Sequence, residues 1–169
     1  MIRHIRNVLR PEEVAHLVEL AKSVRFVDGR ATNPDSTIKL NQQVPQNDPG
    51  AAEPGLLIRD ALFRHPAVRA FALPKQMARP TMARYEPGMT YGWHVDEALF
   101  PSNPPMRSDL SCTVWLTAPQ SYDGGELTIQ LGEQQLLGLP QLLDGVEVGG
   151  GGRGGHGVAC PLDCSISAK

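Results

Sequence analysis

The segment Tyr91-Gly92-Trp93-His94-Val95-Asp96 holds the side chains best suited to chemistry. Read as a strand, it sends alternate residues to opposite faces, so His94 and Asp96 share one. An imidazole and a carboxylate on one face are two-thirds of a facial triad, whose third member is a second histidine. Two histidines and one carboxylate leave three adjacent positions open on Fe(II), for a bidentate co-substrate and O₂. The carboxylate helps keep a hard divalent ion, and the open face lets the metal do chemistry rather than hold structure. The same H-x-D pattern also describes a polar pair at the end of a surface strand. With five histidines and 18 acidic residues in the chain, the surroundings must decide.

The elements around this segment fall into two groups. Pro11 to Val24 reads as a helix: Pro11 suits the first turn, Glu12 and Glu13 suit its positive end, and Val14, Leu17, Val18 and Ala21 share a face. Phe26-Val27-Asp28-Gly29 reads as a short strand and turn. Residues 30–55 are polar, with Pro34, Pro45 and Pro54, and read mostly as loop. Leu56 to Phe63 reads as a second helix ending near His65-Pro66, and Ala67 to Ala72 as a further helical turn. Strands then dominate: Thr81–Tyr85, Thr90–Val95, Leu110–Thr117 and Glu126–Leu131, with turns at Pro87-Gly88 and Ser121–Gly125. Helices followed by short, turn-separated strands predict an α+β domain with a β-sandwich or barrel core.

The 169 residues and 18.3 kDa suit one domain. Sixteen basic and 18 acidic side chains give a net charge of −2, with a pI near 6.2. That balance gives no electrostatic ground for nucleic acid or an anionic membrane as partner. No apolar run approaches the roughly 18–20 residues of a membrane span. The N-terminus is basic but lacks the apolar core of a signal peptide. Three cysteines, Cys112, Cys160 and Cys164, are an odd number at irregular spacing. They argue against a disulfide framework and for a reducing, cytoplasmic setting. No second Cys/His pair joins Cys160 and Cys164 to complete a structural zinc site.

Short segments spread over residues 1–130 carry a resemblance. They are Phe26–Arg30, Lys39–Gln43, Ala72–Pro74, Arg84–Gly88, Tyr91–Asp96, Met106–Ser111 and Tyr122–Leu127. In this order and spacing the chain resembles the iron(II)/2-oxoglutarate-dependent dioxygenases, specifically the bacterial PKHD-type hydroxylases, relatives of the prolyl 4-hydroxylases. The resemblance implies a double-stranded β-helix, or jelly roll, with N-terminal helices packed outside. It implies that His94 and Asp96 are the first two iron ligands and that Tyr85 lines the pocket near the co-substrate. A core aromatic with its hydroxyl at the rim is the plainer account of Tyr85. Lys39 and Asn41–Gln43 would lie on a loop bordering the substrate mouth, or be ordinary loop polarity, and Arg84 would face solvent. The implied chemistry is hydroxylation of an acceptor C–H bond coupled to conversion of 2-oxoglutarate to succinate and CO₂, with ascorbate as reductant. The acceptor is left open.

The ending departs from that pattern. The family has a distal histidine as third ligand and, about ten residues on, a basic residue for the far carboxylate of 2-oxoglutarate. His156, 62 residues beyond His94, is the one candidate for the first role, but it sits in Gly-Gly-Arg-Gly-Gly-His-Gly, a poor strand. No basic residue follows it before Lys169. Ten of the 17 glycines fall in residues 131–169, and all nine aromatics lie before residue 131. The sequence therefore divides into a helical part (1–75), a jelly-roll core with the H-x-D motif (76–131), and a Gly-rich, divergent or disordered tail (132–169). If so, an inactive remnant or binding module on the same scaffold is the alternative to an enzyme. A cupin-type metal protein is disfavoured, since the ligand strand carries only His94 and Asp96.

Overall fold

The computed structural model describes residues 2–100, 102–118, 121–125, 127–131, 134–138, 145–148 and 161–168, the last three segments as backbone. In chain order the elements are β1 (Arg3–Arg6), α1 (Pro11–Ser23), β2 (Val27–Asp28), β3 (Lys39–Leu40), β4 (Gln42–Gln43), α2 (Ala52–Arg64), α3 (Pro66–Ala72), β5 (Pro74–Met77) and β6 (Thr81–Arg84). They continue with β7 (Thr90–Tyr91), β8 (Leu99–Phe100), β9 (Met106–Arg107), β10 (Leu110–Trp115), β11 (Leu127–Leu131), β12 (Gln134–Gly138), β13 (Gly145–Val148) and β14 (Pro161–Ala168).

Eight strands form one sheet in the order β1-β13-β10-β14-β6-β4-β2, with β5 also paired to β14. Every pairing is antiparallel. Three two-stranded ribbons, β11-β12, β3-β7 and β8-β9, complete it. Leu17 and Ala21 of α1, Ile58 and Leu62 of α2, and Val68 of α3 share one apolar cluster with Met82, Cys112 and Val114 of the sheet. The helices thus cover one face of the strands, the α+β jelly roll with helices outside.

α1 starts at Pro11, and the Arg10 backbone N–H donates to the Glu13 carboxylate at 2.9 Å. Its buried positions are Glu13, Leu17 and Ala21, one per turn. Val18, expected on the core face, is 37% exposed. Glu13 takes the place at the stripe's edge because Arg10 (2.8 Å) and Arg64 of α2 both bond its carboxylate. Burial pushes that carboxyl up, but the bonds from Arg64 and Arg10 outweigh it and hold the pKa down at about 2.

Several expectations are corrected. α2 begins at Ala52, not Leu56, and residues 30–55 carry β3, β4 and two 3₁₀ turns. Regular structure does not end near residue 131: β12, β13 and β14 follow, and β14 lies between β10 and β6. Cys112 is disulfide-bonded, and its register neighbour across the β10–β14 pairing is Cys164. Antiparallel register brings Cα atoms within bridging distance, which spacing along the chain does not reveal. The cysteine count therefore gives no ground for a reducing compartment. Among the described residues no helix is long and apolar enough to cross a membrane.

Candidate metal half-site

β3 and β7 bring the site together. Lys39 pairs with Tyr91 and Leu40 with Thr90, and the Gly92 N–H donates to the Ile38 carbonyl at 2.8 Å. A Cβ on Gly92 would lie 3.0 Å from that of Ile38, so a residue without a side chain suits this close approach. The strand then stops. His94, Val95 and Asp96 lie outside any strand, which corrects the expectation of a strand through Val95.

The two side chains nevertheless meet. His94 Nε2 is 3.4 Å from Asp96 Oδ1. The His94 ring stacks on Tyr91, with centroids 3.8 Å apart and planes 11° from parallel. Its Nδ1 lies 2.8 Å from the Gly92 carbonyl. A carbonyl only accepts, so Nδ1 carries a proton, and Nε2 is the ring nitrogen that faces Asp96. Asp96 Oδ2 accepts a hydrogen bond from the Ser111 hydroxyl on β10. Val95, between His94 and Asp96, is 95% exposed.

Two acceptors facing each other at this distance repel unless a cation lies between them, either a proton on Nε2 or a metal ion. The bond from His94, then that from Ser111, holds the Asp96 carboxyl below its usual range against the opposing effect of burial. The donor set, one imidazole and one ionised carboxylate, fits a divalent metal. Among the described residues no third His, Cys, Asp or Glu completes a cluster. His156 lies outside the described residues.

A buried polar frame backs this pair. Lys39, expected on a loop, is 6% exposed on β3. Its ammonium donates to Thr32 (2.7 Å) and Gln43 (3.1 Å) and sits 5.2 Å from the Tyr91 ring centre. Asn41 joins β3 to β4, and so joins the ribbon reaching His94 to the strand β6 that precedes Tyr85. Its amide donates to the Tyr85 hydroxyl at 2.8 Å. Among the described residues its buried Oδ1 has no partner. Gly29 packs against it so closely that a Cβ would lie 1.8 Å from Oδ1. Arg84 does not face solvent: its guanidinium lies 3.8 Å from the Phe26 ring centre and donates to the Ala21 carbonyl at 3.2 Å.

Sequence reading missed Ser111 and Tyr91 as partners of the pair. Both stood inside quoted segments, but only the meeting of β10 with residues 92–98 reveals the first.

No family model matches the chain. A PKHD-type hydroxylase of Burkholderia ambifaria is 44% identical over 136 residues, covering 77% of this chain and 60% of that relative. One from Shewanella baltica is 42% identical over 133 residues, with coverages of 77% and 59%. The chain thus spans about 60% of the length of these curated relatives. Among solved structures, a Trichoplax adhaerens prolyl hydroxylase in complex with a hypoxia inducible factor peptide fragment aligns with a TM-score of 0.68 at 12% identity, covering 98% of this chain and 82% of that one. A Pseudomonas putida prolyl-4-hydroxylase aligns at 0.64 and 16%, covering 99% and 92%. The fold is that of the prolyl hydroxylases, and by sequence the matched part of the chain is similar to the PKHD-type hydroxylases.

Proposed function

We propose that the protein is an Fe(II)- and 2-oxoglutarate-dependent dioxygenase that hydroxylates a C–H bond of an acceptor. The observation that carries this is His94 Nε2 facing Asp96 Oδ1 at 3.4 Å, with Nδ1 turned to the Gly92 carbonyl. His94 and Asp96 would hold the metal, and His156 is the candidate third ligand. Tyr85, whose hydroxyl accepts a hydrogen bond from the Asn41 amide, would hydrogen-bond 2-oxoglutarate. When bound, the iron couples O₂-dependent decarboxylation of 2-oxoglutarate to hydroxylation, and ascorbate serves to keep it reduced.

The chain's own residues prepare that chemistry. The Gly92 carbonyl fixes the His94 tautomer, and the Tyr91 ring covers one face of the imidazole. Asp96 is held ionised, so a metal need not displace a proton from it. Lys39 is anchored by Thr32 and Gln43 with its ammonium over the Tyr91 ring. The prolyl hydroxylase likeness extends to fold, so the acceptor is left unassigned.

The test is an anaerobic titration with Fe(II) and 2-oxoglutarate, following the visible metal-to-ligand charge-transfer band. The band should form with the parent protein and vanish in His94→Ala. A parent protein that gives no band overturns the proposal and favours a non-catalytic remnant.

A further inference from the structure

We infer that Ser111 is a positioning residue that sets which oxygen of Asp96 meets the metal. The inference rests on the metal-site reading above. Asp96 lies on a segment outside the strands, with its side chain 37% exposed. Torsion about a carboxylate's terminal bond is broad, so such a side chain samples many orientations in the absence of a fixed donor. Ser111 is that donor. It stands on β10, a strand flanked by β13 and β14, with its Cα in register with Ser165. Its hydroxyl donates to Asp96 Oδ2.

The other oxygen, Oδ1, is the one directed at His94. A bond to an ionised carboxylate is charge-assisted and stronger than a neutral one. One carboxylate oxygen is thus engaged before metal arrives, and the carboxylate offers the ion a single oxygen. Monodentate ligation keeps an additional position open for co-substrate. His94 is fixed from the opposite side by its bond to Gly92 and its stack on Tyr91. The two halves of the site are therefore oriented by two separate tethers, and Ser111 is the one anchored in the large sheet.

The test is Mn(II) binding, read by loss of the free-ion electron paramagnetic resonance signal. Parent protein, Ser111→Ala, Ser111→Thr and Asp96→Ala are compared. Ser111→Ala should weaken Mn(II) affinity by about tenfold or more, with stoichiometry and the metal-free melting temperature unchanged. Ser111→Thr keeps the hydroxyl and should restore affinity close to the parent's. If Ser111→Ala fails to fold by circular dichroism, Ser111→Cys, of similar size with a weaker donor, replaces it with the same expected direction. Parent-like affinity in the folded Ala or Cys variant, alongside lost binding in Asp96→Ala, overturns the role of Ser111 alone. Parent-like affinity in Asp96→Ala overturns the metal site itself, and the inference with it.

Discussion

Leu17 of α1 has no exposed surface, whereas Val95, between the two candidate ligands, is 95% exposed. Around Leu17 the chain is held by apolar burial: α1, α2 and α3 pack on the sheet through one continuous cluster. Around Val95 it is held by a few directed contacts, from Gly92, Tyr91 and Ser111 to His94 and Asp96. The first region derives its stability from area and tolerates no cavity. The second derives its geometry from individual partners, and its apolar residue contributes little. A metal site needs reachable lone pairs, and the candidate pair lies where burial is incomplete.

That contrast can be broken in order of expected effect. Leu17→Ala should cost about 3 kcal/mol of unfolding free energy in denaturant titrations, the cost of a core cavity. Metal affinity per folded molecule should stay unchanged.

Glu13→Gln comes next, at about 2 kcal/mol, since it removes charge-assisted bonds to Arg10 and Arg64. Here pH sharpens the comparison. The folded pKa of Glu13 lies near 2, below its ordinary 4.5. Its contribution is therefore complete above about 4.5 and is lost as pH falls through that value toward 2. The parent and Glu13→Gln stabilities should converge over that window, as measured by thermal melts. A gap that persists at the acid end would mean the side chain acts through packing instead. Val95→Ala should change stability by less than about 0.5 kcal/mol, as an exposed substitution does. A larger loss would place Val95 in a contact that the structure does not show.

What could be read from sequence follows the same division. The helical face of α1 was visible because apolar residues recur with the helix period, although Glu13 replaced Val18 on the buried stripe. The H-x-D pair was visible as a motif, but its support was misplaced. A strand through Val95 would put His94 and Asp96 on one face by pleat alternation, whereas the structure brings them together after β7 has ended. Lys39 was read on a loop, at the substrate mouth or as ordinary polarity; the Thr32 and Gln43 oxygens and the Tyr91 ring that receive it come from three other segments. Ser111 and the register of Cys112 with Cys164 depend on tertiary pairing and leave no local signal.

The placement of His94 and Asp96 outside the ladder also makes ligand and local stability inseparable. Residues 92–98 lie outside the large sheet, so their opening is expected to cost less than global unfolding. An ion that binds only the closed form raises that opening energy by mass action, by about 2.7 kcal/mol at a hundredfold excess over Kd. Amide hydrogen exchange across residues 92–98, set against the slow exchange expected of β10, therefore becomes a gauge of how fully the site is occupied.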